Sequence, residues 1–208
     1  MTYHIIDLAT WPRAAQFHLF RSYKQPHYAT TTRLDVTHVM ARKAAGVSPY
    51  RACLYAIGAG LHAVPELRMR FRGDVVVAHD MVTLSMTVPT EAGSFGYAYV
   101  PFVADFATFD AQAKTLIDDV ARGGALKANN GERDDLAYLS CMPWLDYAAI
   151  NNALPGPDDC IPRVSWGKIV AKDGRWDMAI TLEVHHALVD GAQVGAFFDA
   201  VQGALTRV

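Results

Sequence analysis

Runs of apolar residues along this chain switch between a period near 3.6 and a period of two, and the switches mark its elements. Thr10 is placed to cap a helix that has Pro12 in its first turn and runs through Phe20. The segment from Thr31 to Val39 alternates well enough to predict a strand, with Leu34, Thr32 and Val36 on one face. Ser48-Pro49 opens a second helix that ends before Pro65. Its charge-free stretch from Ala52 to Val64 is too short to span a bilayer and predicts a buried helix. From Leu67 to Tyr99 the pattern predicts short strands, broken by a tight turn at Arg72-Gly73-Asp74. A helix from Thr108 to Ala121 is closed by Gly123-Gly124.

Leu136 to Met142 reads as a strand stopped by Pro143. Two further strands, near Val164–Ala171 and Trp176–His185, flank the hairpin signal Asp173-Gly174. A last helix begins near Gly191 and sets Val194, Phe197, Phe198, Val201 and Leu205 along one face. Helices and strands mix without regular βαβ alternation. The predicted fold is therefore α+β, a two-layer sandwich of a mixed β-sheet with helices packed on one face. No linker, repeat or composition break divides residues 1–208, which predicts a single domain.

Composition narrows the function classes. With 51% hydrophobic and 19% charged residues, the chain can bury a core and is not disordered. A formal net charge of −2 gives no global attraction to nucleic acid or to an anionic membrane, so an anionic ligand needs a local basic patch. Cys53, Cys141 and Cys160 are odd in number and lack metal-ligand spacing, which argues against a disulfide framework and for reduced thiols. The first residues, Met1 to Asp7, show neither the basic nor the apolar region of a signal peptide, and the expected location is cytoplasmic.

The densest chemistry lies in Val184 to Gly191, where His186 and Asp190 stand four residues apart at the end of a strand. Histidine exchanges protons near neutral pH, and a buried strand ending in two histidines and an acid is costly unless each finds partners. On a regular strand His185 and His186 face opposite ways, so they cannot jointly hold one ion. The remaining histidines are scattered, and no metal is expected.

The run His185-His186-Ala187-Leu188-Val189-Asp190-Gly191 resembles the HHxxxDG signature of the chloramphenicol acetyltransferases, which the acyltransferase cores of 2-oxo-acid dehydrogenase complexes share. Four more segments resemble the chloramphenicol branch in the same order. Trp11-Pro12-Arg13 with Phe17 and Phe20 is similar to W-x-R-x-x-x-F, and Glu66-Leu67-Arg68-Met69-Arg70 to E-[LF]-R-M-A. Ser140-Cys141-Met142-Pro143-Trp144 is similar to S-x-x-P-W. Pro162 to Lys168 is similar to P-x-x-T-x-[AG]-K, with Ser165 in place of threonine. The five segments cover almost the whole chain.

The resemblance implies a CoA-dependent O-acetyltransferase that acetylates chloramphenicol or a related small hydroxyl acceptor, with acetyl-CoA as co-substrate. It implies a homotrimer whose active sites lie at subunit interfaces, with His186 from one subunit and Phe20 and Tyr28 from its neighbour. His186 would be the general base and Ser140 the hydroxyl donor to the developing oxyanion. Asp190 would pair with Arg13 and hold the histidine loop in shape. Ser165 would bind a water near the developing charge, against a plain alternative of satisfying nearby backbone. Lys168 would meet coenzyme phosphate, or stand as a solvated strand-end charge. A second family lysine usually precedes the helix that starts here at Ser48-Pro49. The connection is slightly shorter in this chain and Gly46 stands near that place, so coenzyme phosphate recognition would be weaker or rearranged.

The acceptor pocket departs furthest from the family. Phe20 replaces a common tyrosine, Pro26 a cysteine, and Tyr138 an asparagine two residues before Ser140. On a strand that spacing keeps Tyr138 and Ser140 on one face, so Tyr138 would narrow the pocket. Cys141 should face the other side and belong to the core, as should Phe17, Met69 and Trp144. Two alternatives remain open at this stage: acyl transfer of the dehydrogenase-complex type to another acceptor, and a non-catalytic binding protein on the same scaffold. Neither lipoyl domain nor Ala/Pro-rich linker accompanies the first, and the second would not need His186, Asp190, Ser140 and Arg13 together.

Overall fold

The alternation of β9 (Arg175–His185) organises the molecule. Met178, Ile180, Leu182 and Val184 enter the main core, while Thr181, Glu183 and His185 alternate with them and face the other way. The structure is a computed structural model, and it describes residues 2–123 and 126–208. β9 pairs antiparallel with β2 (His27–Asp35) on one side and β8 (Arg163–Lys172) on the other. β7 (Leu136–Cys141) and β5 (Thr83–Pro89) then add in parallel, and β6 (Phe95–Pro101) closes the row antiparallel. The strand order is β2-β9-β8-β7-β5-β6. A smaller sheet, which the sequence pattern did not separate, joins β1 (Tyr3–Ile5), β4 (Val75–His79) and β3 (Met69–Arg72) in the order β1-β4-β3.

The apolar face is covered by α3 (Pro49–Ala63), α4 (Phe106–Ala121) and α5 (Gly191–Leu205). Gly60 lets α3 and α5 close on each other, because a Cβ there would lie 2.5 Å from a Val201 methyl and 3.0 Å from the Phe197 ring. The predicted stripe of α5 is buried in full, from Val194 to Leu205. Ser48 caps α3, and Asp105 caps α4 by accepting the Thr108 N–H at 2.8 Å. The β8–β9 hairpin turns at Asp173 (φ +50°) and Gly174 (φ +77°), the left-handed pair that a two-residue hairpin favours.

The two N-terminal predictions are corrected. Helix α1 spans Ala14–Arg21 and has Arg13, not Thr10, at its cap position. Asp7 captures Thr10 instead, accepting its hydroxyl at 3.1 Å, and the Asp7 carbonyl takes the Trp11 N–H. The strand read over Thr31 to Val39 lies four residues earlier, as β2. Its end is set by Asp35, whose carboxylate accepts the Thr37 N–H at 2.8 Å and starts α2 (Thr37–Arg42). Leu34 and Val36 are nevertheless buried, as the alternation required. Of the expected Gly123-Gly124 stop, Gly123 has φ +114° and Gly124 lies outside the described residues. Among the described residues no helix is long and apolar enough to cross a membrane.

Candidate active site

Strand β9 ends at His185, and the next five residues build the histidine cluster. Leu188 and Val189 donate their N–H groups back to the His185 carbonyl (3.0 and 3.2 Å), which turns the chain toward α5. His186 N–H is pinned to the Pro26 carbonyl at 2.9 Å, just before β2. Asp190 caps α5, and its own N–H donates to the Gln193 side chain at 3.0 Å.

Arg13 brings both terminal nitrogens to the two carboxylate oxygens of Asp190, one of them at 3.1 Å. This fork holds the Asp190 carboxyl below the usual carboxylate range, against the opposing effect of burial. Asp190 Oδ1 lies 3.2 Å from His186 Nδ1, yet that buried nitrogen has no partner of hydrogen-bonding geometry among the described residues. The carboxylate therefore serves the arginine first. Phe20 stacks on the His186 ring with centroids 3.8 Å apart and planes 6° from parallel, and Tyr28 leans on it at 4.7 Å. The Tyr28 hydroxyl donates to the Val189 carbonyl at 3.3 Å, and burial, helped by the Asp190 charge, raises it to about 12.

His185 occupies the opposite environment. It is 2% exposed, donates Nε2–H to the Pro157 carbonyl at 3.0 Å and accepts the Ala187 N–H on Nδ1 at 3.1 Å. Those two bonds require the neutral ring, and burial, with His27 beside it, lowers its pKa to about 4. The adjacent histidines are thus divided, one satisfied inside the fold and one half-buried beside an ion pair.

Ser140 and Ser165 are direct partners across the parallel β7–β8 register, and Thr181 of β9 continues the row. Both serines border a cavity of about 320 Å³ on the polar face of the sheet, together with Ser85, Tyr138, Asn129 and Arg163. Ser165 Oγ is buried without a partner among the described residues. Cys141 opens to the other face, as strand geometry demands, and lines a second cavity of about 660 Å³ among Tyr50, Cys53, Trp144, Trp166 and Lys43. Burial raises the Cys141 thiol to about 12, which removes it as a nucleophile near neutral pH.

The chain brings His186, Asp190, Arg13, Phe20 and Tyr28 together, and separately brings Ser140, Ser165 and Tyr138 together. It does not join the two groups. Thr181, level with Ser140, precedes His185 by four residues, about 13 Å along β9, and two strand spacings add about 10 Å across the sheet. One expectation is corrected by the first group: Phe20 and Tyr28 pack on His186 of their own chain rather than reaching it from a neighbour. Trp144 is also corrected, being 70% exposed at the larger cavity, whereas Phe17 and Met69 are core. Lys168 is exposed at the β8 bulge, between Gly167 and Ile169, which line that cavity. Sequence reasoning missed Lys43, which borders the same cavity from the turn before Gly46, and it missed Ser85 and Asn129. Only Lys43 carried a signal, as a cation shortly before the Ser48-Pro49 helix start.

The mixed sheet under helices is a fold that this chain shares with solved acetyltransferases. A solved probable dihydrolipoamide acetyltransferase from Listeria monocytogenes shares the fold at a TM-score of 0.66 and 13% identity, over 97% of this chain and 93% of that one. The sequence profile of the chloramphenicol acetyltransferase family matches residues 1–202, and the chain belongs to that family. Chloramphenicol acetyltransferase 2 of Haemophilus influenzae is 26% identical over 207 residues, covering 97% of this chain and 96% of its own. A solved chloramphenicol acetyltransferase superposes with a TM-score of 0.91 at 28% identity, over 98% of this chain and all of that one. The chain is accordingly an acyltransferase of this family.

Proposed function

We propose that this protein is a cytoplasmic homotrimer, each subunit a single domain, that transfers the acetyl group of acetyl-CoA to chloramphenicol or a related small hydroxyl acceptor. The observation that carries the reading is the division of the site. His186 is held ready on one side of the chain, while Ser140 and Ser165 border an open cavity on the other. Closing a ring of subunits would set the histidine of one copy over the serines of the next.

In that complex the neutral His186 ring takes the proton of the acceptor hydroxyl as its oxygen attacks the thioester carbonyl. Ser140 donates a hydrogen bond to the oxyanion, and Ser165 holds a water beside it. Collapse of the tetrahedral intermediate expels the thiolate of CoA, which receives the proton back from His186. Arg13 and Asp190 keep the histidine turn in place, and the stacked Phe20 fixes the ring plane.

The larger cavity suits the long, mostly apolar arm of the co-substrate, with Tyr50, Trp144 and Trp166 along it. Lys43 borders it and Lys168 stands at its edge, giving the local cations that a phosphate-bearing molecule needs on a chain of net charge −2. The test is acetyl transfer from acetyl-CoA to chloramphenicol, with the product separated by chromatography and His186→Ala as control. Acetylated product from the wild type and almost none from the variant supports the reading. A folded protein that yields no product, and does not hydrolyse acetyl-CoA either, contradicts it.

A further inference from the structure

The sheet face that carries Ser140 holds a second polar row, which the steps above do not use. Ser85 of β5 pairs in register with Tyr138 of β7 on one side and with Tyr99 of β6 on the other. Ser140 follows Tyr138 by two residues, so the two rows lie on one face about 7 Å apart. Residues of both rows border the 320 Å³ cavity.

Among the described residues, neither the Ser85 nor the Tyr138 hydroxyl donates a hydrogen bond. Ser85 is 2% exposed, and its Oγ has no partner of hydrogen-bonding geometry among the described residues. Its neighbour Tyr99 is close enough for the Ser85 hydroxyl to oppose the upward effect of burial on the phenol. The Tyr99 proton, however, is already given to the Lys127 carbonyl at 2.6 Å. Tyr138 is held from the other direction. Asn129 donates Nδ2–H to the Tyr138 oxygen at 2.9 Å, and Asn129 is itself fixed by the Arg133 backbone (2.8 and 3.0 Å). With its oxygen accepting, Tyr138 keeps its O–H free to donate into the cavity. A buried, unmatched donor favours a ligand that matches it.

We infer that Ser85 and Tyr138 form a polar subsite, about 7 Å from Ser140 along the sheet, selecting acceptors that carry a hydrogen-bond-accepting group at the end remote from the reacting hydroxyl. The inference rests on the acetyl-transfer reading and narrows its substrate class. A carbonyl, sulfonyl, nitro or ether oxygen satisfies the subsite. A compound with only hydrocarbon at that end leaves both hydroxyls dry, and it is discriminated against as sites built to hydrogen-bond reject analogues lacking the group.

The test uses three acceptors that share the reacting hydroxyl: chloramphenicol, its analogue with methylsulfonyl in place of nitro, and its analogue with hydrogen there. Wild-type enzyme should favour the sulfonyl compound over the hydrogen compound in kcat/KM by about three- to tenfold, mainly through KM. Ser85→Ala and Tyr138→Phe, each checked for folding by its thermal transition, should bring that ratio toward one. A ratio near one in the wild type, or one that both variants leave intact, overturns the subsite and leaves acetyl transfer standing. If the folded wild type acetylates none of the three, the acceptor reading falls and the subsite falls with it.

Discussion

The two halves of the divided site are built by different physics. The histidine half is a turn and a helix cap at the end of β9, braced from the N-terminal part of the chain by Arg13, Phe20 and Tyr28, with the Asp190 carboxylate committed to the arginine. The serine half is two rows of hydroxyls delivered by adjacent strands, and Ser165 and Ser85 have no hydrogen-bond partner among the described residues. On the proposed reading, the contrast teaches where a general base and an anion-binding row are each cheap to make. A base needs its ring plane and neighbours fixed, which local chain and a stacked Phe20 provide. A row of donors needs a rigid, repeating frame, which adjacent strands provide at fixed spacing.

The largest expected effect comes from breaking either half at its centre. His186→Ala should lower kcat by about 10²–10⁴-fold in a steady-state acetylation assay. Ser140→Ala should cost about 10²-fold or more in kcat with little change in the KM for acetyl-CoA. Arg13→Lys keeps the charge but loses the fork to Asp190, and about tenfold in kcat is expected, with a lower thermal midpoint. If the lysine variant retained full activity, the fork would be a surface detail rather than the brace of the histidine turn.

A milder effect separates the two adjacent histidines. The His185 pKa is depressed to about 4 by burial, so the unfolded chain takes up a proton first as the pH falls. Its contribution to stability is complete above about pH 6.5 and is lost progressively as the pH drops toward 4. Thermal midpoints measured across that range should fall less steeply for His185→Gln than for the wild type. The smallest effect is expected at Cys141→Ala, which should keep kcat within about twofold, because a thiol raised this far does no covalent work.

The histidine half was legible in the sequence because its signals are local. His185, His186, Asp190 and the Gly191 helix start fall within seven residues, and the Asp173-Gly174 hairpin fixes the strand that delivers them. Errors arose where a side chain chose a partner that periodicity does not encode. Thr10 was a plausible helix cap until Asp7 captured its hydroxyl, and Asp35 ended β2 by bonding to Thr37. Trp144 looked like core by residue type, but nothing in its spacing told that it would stand at a cavity mouth. The serine half was half legible. The Tyr138–Ser140 spacing put both on one face, yet the Ser85 row and the Asn129 anchor depend on strand register and on contacts across the sheet. Phe20 and Tyr28 were read as a pair of pocket residues, and only the packing revealed that they serve the histidine of their own chain.

The claim that one chain holds only half of each working site is tested most directly by mixing two dead variants. His186→Ala and Ser140→Ala chains, each inactive alone, would be co-refolded in equal amounts and assayed for acetyl transfer to chloramphenicol. If the sites form between copies, random trimers should regain about a quarter of wild-type activity, from interfaces that pair an intact His186 with an intact Ser140. Activity no higher than the sum of the two separate variants, in a preparation proven to contain mixed trimers, would contradict it.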